Sequence, residues 1–106
     1  MGDTIRVTGH TGETAKGAFS PDPATQIRQV FSNLALTLAE AGAGWSDVVE
    51  MSSYHVGLAG QSEALLRIAT EFLCDPYPTW TAVGVTDLII AEALVEISCG
   101  AVIGEQ

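Results

Sequence analysis

Residues 93–103, ALVEISCGAVI, decide the fold class. The stretch is rich in β-branched residues and has no proline, so it reads as a strand. Successive side chains of a strand point to opposite faces. Val95, Ile97, Cys99, Ala101 and Ile103 therefore share one face, and Leu94, Glu96, Ser98, Gly100 and Val102 share the other. Both faces are largely apolar or small. The first calls for helices of the same chain. The second calls for cover by a neighbouring chain.

Working outward, Thr79 to Asp87 reads as another strand, set off by the helix-breaking run Asp75-Pro76-Tyr77-Pro78. Before that break, Ser62 to Cys74 places Leu65, Ile68, Ala69, Phe72 and Leu73 at helical spacing. Asp47 to Val56 (DVVEMSSYHV) is rich in strand formers. Asp22-Pro23 reads as a helix start, with the acid at the N-cap and proline in the first turn. Ile27, Val30, Phe31, Leu34 and Leu38 give that helix its apolar stripe, and Gly42 and Gly44 stop it. Asp3 to Gly9 (DTIRVTG) alternates as a strand, and His10 to Pro21 reads as a loop. The order β-α-β-α-β-β is an α+β pattern, with two helices packed on one face of a sheet.

The chain of 106 residues is expected to form a single domain over residues 1–106. Thirteen acids against 4 bases give a formal charge of −9. Arg6, Lys16, Arg28 and Arg67 are scattered, which argues against nucleic acid and anionic membranes as partners. No apolar run reaches membrane length, and no basic segment followed by an apolar one opens the chain, so a cytoplasmic location is expected. Cys74 and Cys99 form no framework and are expected to be reduced and buried. The two histidines and two cysteines have no ligand spacing, so no metal site is expected. Patterns for dinucleotides, phosphate loops and a serine nucleophile elbow are absent.

Glu96 is the sharpest candidate, an acid inside an apolar strand. A buried carboxylate is costly unless paired or hydrogen-bonded. It is either an acid/base group that positions water or an interface carboxylate held by backbone N–H groups. His10 follows the first strand between Gly9 and Gly12, as a ligand or acid/base position or as a turn histidine. His55, in a strand with Met51 and Ser53 on its face, reads as structural. Trp80 shares a face with Ala82 and Gly84, so its indole plugs a groove or packs into a core or interface.

In order and spacing the chain resembles the Rid family, the YjgF-like reactive intermediate deaminases, also called endoribonuclease L-PSP proteins. The matching segments run from Gly2 to Ile103. They are Val7-Thr8-Gly9-His10-Thr11-Gly12, then Asp22 to Gly42 with Gln26, then Asp47-Val48-Val49-Glu50, Tyr77-Pro78 and Ala93-Leu94-Val95-Glu96-Ile97. The resemblance implies a chorismate-mutase-like fold, a mixed sheet, and a homotrimer with small-molecule clefts between subunits. It also implies hydrolysis of enamines or imines with no metal or organic cofactor. By the same resemblance Glu96 matches a water-positioning glutamate and Gly9 a ligand-contacting glycine, while His10 stands where glutamine is usual. Trp80 stands where a carboxylate-binding arginine is expected, and Leu66 where an asparagine is common. An indole offers one N–H and no charge, so it cannot make a fork-to-carboxylate contact. Uncharged or aromatic substrates are therefore expected, with a noncatalytic small-molecule-binding trimer as the alternative and a ribonuclease as the least favoured reading. Family members also carry a further strand ahead of the position of Asp3, and this chain is expected to lack it.

Overall fold

The computed structural model describes residues 3–103. Strand β1 (Asp3–Thr11) leads to helix α1 (Pro23–Glu40) and a short 3₁₀ turn at Trp45–Asp47. Strand β2 (Val48–Val56), helix α2 (Leu58–Phe72) and strands β3 (Thr79–Val85) and β4 (Val95–Ile103) follow. The expected order of elements is observed. The sheet runs β1-β4-β2-β3, with β2 and β3 parallel and the other pairs antiparallel. It is a mixed α+β sheet because α2 supplies the crossover that a parallel pair requires.

Both helices form where their caps and stripes place them. The Asp22 carboxylate accepts from the Thr25 backbone N–H at 3.0 Å, closing the first turn of α1. Ile27, Val30, Phe31, Leu34 and Leu38 of α1 are buried together with Leu65, Ile68 and Ala69 of α2. They pack against Val7, Met51, Val95, Ile97, Cys99 and Ala101 of the sheet. Each fully buried large apolar side chain contributes roughly 1.5–3 kcal/mol. Phe31 sits at the centre, stacked on Phe72 at 5.1 Å and tilted against Trp45 at 5.2 Å between ring centroids.

Three local readings are corrected. Helix α2 starts at Leu58, not Ser62, because Gly57 takes a left-handed φ of 82° and turns β2 directly into the helix. The exposed Cys74 departs from the expected pair of buried thiols, whereas Cys99 is buried. Strand β1 continues to Thr11, taking His10 out of the expected loop. Its register shifts on the way: Val7 lies opposite Cys99 and His10 opposite Ile97, so Thr8 and Gly9 together face Ser98. This bulge reverses the alternation. His10 consequently joins Val7 on the helix-covered face.

The second face of the sheet is covered by neither helix. Arg6 and Thr8 of β1, Glu96, Ser98 and Gly100 of β4, and Glu50, Ser52 and Tyr54 of β2 share it by register.

Candidate functional site

A depression of about 500 Å³ lies on this open face. It is lined by Arg6, Val7, Thr8, Gly9, Tyr54, Val85, Leu88, Glu96 and Ser98. Glu96 stands in the middle of the sheet, with Thr11 on one side and Tyr54 on the other. Its side chain leans toward β1 and lies on Gly9, where a Cβ would collide with Glu96 Oε2. The bulge and the missing side chain at position 9 together make that seat. Among the described residues no side chain or backbone group donates a hydrogen bond to this carboxylate, so its lone pairs are available to water or a ligand. A second carboxylate uses the same device. Glu50 lies over Gly100, which leaves room for Arg6 Nη1 to reach Glu50 Oε2 at 3.4 Å from the other side of β4.

Of the four site residues read from the sequence, the structure brings together Glu96 and Gly9. The other two are elsewhere. The His10 ring faces α1. Its Nδ1 bonds the Thr8 carbonyl at 2.9 Å, which can only accept, so the neutral ring carries its proton there and Nε2 accepts from the Thr37 hydroxyl at 2.8 Å. Without the bulge, simple alternation from Val7 would have aimed His10 at the open face. Trp80 pairs with Met51 on the helix side, packs against the core, and donates from Nε1 to Ser53 Oγ at 2.9 Å. Within one chain it lies on the face opposite Glu96. Sequence reading missed Arg6, a charged residue whose place in an alternating strand looks like ordinary solvent exposure.

The model of the Endoribonuclease L-PSP family matches residues 1–103. This chain belongs to that family. It is 41% identical to the RutC family protein YjgH of Escherichia coli over 86 residues, which are 80% of this chain and 66% of the relative, just under two thirds of its length. A solved structure of protein YjgH superposes with a TM-score of 0.87 at 40% identity, covering 99% of this chain and 80% of the other. RidA from an Antarctic Psychrobacter gives 0.90 at 27% identity, with 97% and 83% covered.

On its covered face this L-PSP family chain places a directed chain of hydrogen bonds. Both amide hydrogens of Gln61 are used, on the carbonyls of Val56 at 2.8 Å and Leu94 at 3.0 Å. Gln61 Oε1 must therefore accept from His55 Nδ1–H, at 2.8 Å. His55 Nε2 then accepts from the Ser53 hydroxyl at 2.8 Å, and Ser53 Oγ accepts from Trp80. Burial holds the His55 pKa below its ordinary value of 6.5, against an opposing contribution from the Gln61 bond, so the neutral ring this direction requires is the favoured one. On α1, Gln26 Oε1 accepts from the Leu94 N–H at 2.9 Å while its amide donates to the Ser20 and Glu92 carbonyls. Two buried glutamines thus fix both backbone groups of Leu94, the residue that leads into β4. His55 is structural, as expected.

Cys99 is an inert thiol, pushed up to about 11 by burial and then by the nearby charge of Glu50. No cluster of three or more His, Cys, Asp or Glu suited to a metal ion occurs among the described residues. No helix among them is long and apolar enough to cross a membrane.

Proposed function

We propose that this protein is a cytoplasmic, homotrimeric hydrolase of small imines or enamines, working without metal or organic cofactor in clefts completed by a neighbouring subunit. The single observation that carries this reading is the Glu96 carboxylate, laid on Gly9 in the open-face depression and free of hydrogen bonds from the described residues. In such a cleft Glu96 accepts a hydrogen bond from water and aims its oxygen at the C=N carbon. An enamine first shifts to its imine tautomer; water then adds across C=N with one proton going to nitrogen, and the hydroxyl proton of the resulting carbinolamine passes to nitrogen as the C–N bond breaks, leaving a carbonyl compound and ammonia. Positioned acid–base help of this kind is worth about 10²–10⁴-fold. The reaction class comes from the family resemblance. An uncovered sheet face fits assembly, since a face with Val83 and Val102 each 38% exposed gains by being covered.

Trp80, in place of a guanidinium, favours a second reading, a trimer that binds small molecules without turning them over. Ribonuclease activity is disfavoured by the charge of −9. The test is hydrolysis of freshly generated 2-iminopropanoate and of an uncharged imine by the wild type and Glu96→Gln. The expected result is turnover that falls at least about a hundredfold in the variant. Full turnover by Glu96→Gln contradicts the proposal. Ligand binding with no turnover by the wild type supports the second reading.

A further inference from the structure

We propose that His55 is an acid-released latch on Trp80: a proton on Nε2 of the His55 ring ends the hydrogen bonding that holds the indole, and the indole moves into the groove between α2 and β3. The proposal does not depend on the hydrolase reading.

The chain of hydrogen bonds to Trp80 leaves one atom able to respond to acid. Both amide hydrogens of Gln61 are spent on carbonyls, so His55 Nδ1 donates to Gln61 Oε1 whether the ring is neutral or charged. Protonation therefore changes Nε2 alone. In the neutral ring Nε2 accepts the Ser53 hydroxyl, and Ser53 Oγ accepts the indole N–H. In the charged ring Nε2 is a donor. The imidazolium N–H, the indole N–H and the serine's own O–H then meet at one oxygen. Among the described residues Ser53 Oγ has no other partner, so its hydrogen is left buried without an acceptor. That state is costly inside a core.

Trp80 is the group able to leave. Ser53 and His55 are fully buried, whereas Trp80 is half-buried and stands on β3, where the sheet ends. Two apolar hollows of about 220 and 170 Å³ flank it, and Leu66 and Trp80 line both. The ring has space to enter on either side. Its departure admits water, which accepts from the Ser53 hydroxyl.

No neighbouring charge competes for control of the ring. Strand β3 carries no charged residue. Glu50 and Tyr54 of β2 and Glu96 of β4 lie on the open face. Facing the helices on β4 is Cys99, whose thiol stays protonated, pushed up to about 11 by burial and then by the charge of Glu50. On the helices Arg28, Glu40, Glu63, Arg67 and Glu71 are exposed. Asp87 and Glu92, between β3 and β4, are exposed as well. His10 shares the covered face but sits two strands away on β1, bonded to Thr8 and Thr37. Burial lowers the His55 pKa from 6.5, so the latch is closed at neutral pH and opens in mild acid.

The test follows the indole N–H resonances of Trp45 and Trp80 in nitrogen-15-labelled protein between pH 7 and 5. Trp80→Phe identifies the Trp80 signal. Trp45, which donates to the Phe31 carbonyl, is the internal control. The Trp80 signal is expected to titrate with a midpoint below 6.5 while that of Trp45 stays in place. Protection of the Trp80 N–H from exchange, relative to free indole at the same pH, is expected to fall at least about tenfold. In His55→Gln the Trp80 signal stays fixed across the range. Ser53→Ala, which removes the acceptor, holds it at the released position throughout. A Trp80 signal that stays fixed in the wild type, or that titrates equally in His55→Gln, overturns the proposal. So does a joint change of both indole signals, which marks global unfolding.

Discussion

On the helix-covered face of the sheet, Ser53, His55, Gln26, Gln61 and Trp80 all satisfy one another or the backbone. On the open face, Glu96 takes no hydrogen bond from any described residue and Arg6 makes only one long contact. The strand β4 runs through both environments, with Val95, Ile97, Cys99 and Ala101 buried on one side and Glu96 and Ser98 half-buried on the other. The difference teaches which polar groups to ask about function. A Ser–His pair at 2.8 Å looks like catalytic apparatus, yet Ser53 and His55 are both fully buried and their hydrogen bonds are used up in holding Trp80 and α2. Polar groups that complete one another lock a core. A carboxylate left without partners beside a depression is where chemistry has room.

The contrast is broken most severely through the covered face. Phe31→Ala removes the ring between Phe72 and Trp45 and is expected to cost about 3–5 kcal/mol, measured by chemical denaturation. An equally large loss from removing an open-face side chain would erase the distinction. A smaller effect comes from pH. Since burial depresses the folded-state pKa of His55, the unfolded chain binds the proton more readily. Stability contributed by the neutral ring is complete above about 6.5 and is lost as pH falls below it, down through the folded-state pKa. In that window each pH unit costs up to about 1.4 kcal/mol. Denaturation followed between pH 7 and 5 in the wild type and in His55→Gln checks this, with the variant expected to lose the histidine's share of the slope.

The helices were legible because their stripes carry large apolar side chains at regular spacing, as at Ile27, Val30, Phe31, Leu34 and Leu38. The order of elements along the chain was legible because these stripes alternate with runs of strand formers such as Asp47 to Val56, set apart by turn and helix-breaking residues. The direction of His10 was not, because one bulged residue at Thr8–Gly9 reverses the alternation, and its one local cue, a glycine inside a strand pattern, does not say where the register shifts. Trp80 matched a family position, but only pairing with Met51 shows which face it takes. Gln26 stood in the family match without a role, and Gln61 lay just ahead of the helix expected from Ser62, so neither was read as an anchor of Leu94. Glu96 was found because an acid in an apolar strand is conspicuous. Its seat on Gly9 follows from a register that residues nearly ninety positions apart create together.

That seat is the centre of the account, and Gly9→Ala probes it without touching the carboxylate itself. The added methyl collides with Glu96 Oε2, so the side chain must leave its seat while the half-open surface around it can adjust. The measurement is turnover of 2-iminopropanoate and of an uncharged imine by wild type and Gly9→Ala, with melting temperature recorded on the same samples. The predicted result is an at least tenfold loss of turnover, about that expected of a displaced catalytic group, with cooperative unfolding retained. Wild-type turnover in Gly9→Ala would contradict the claim that Glu96 works from its place on Gly9.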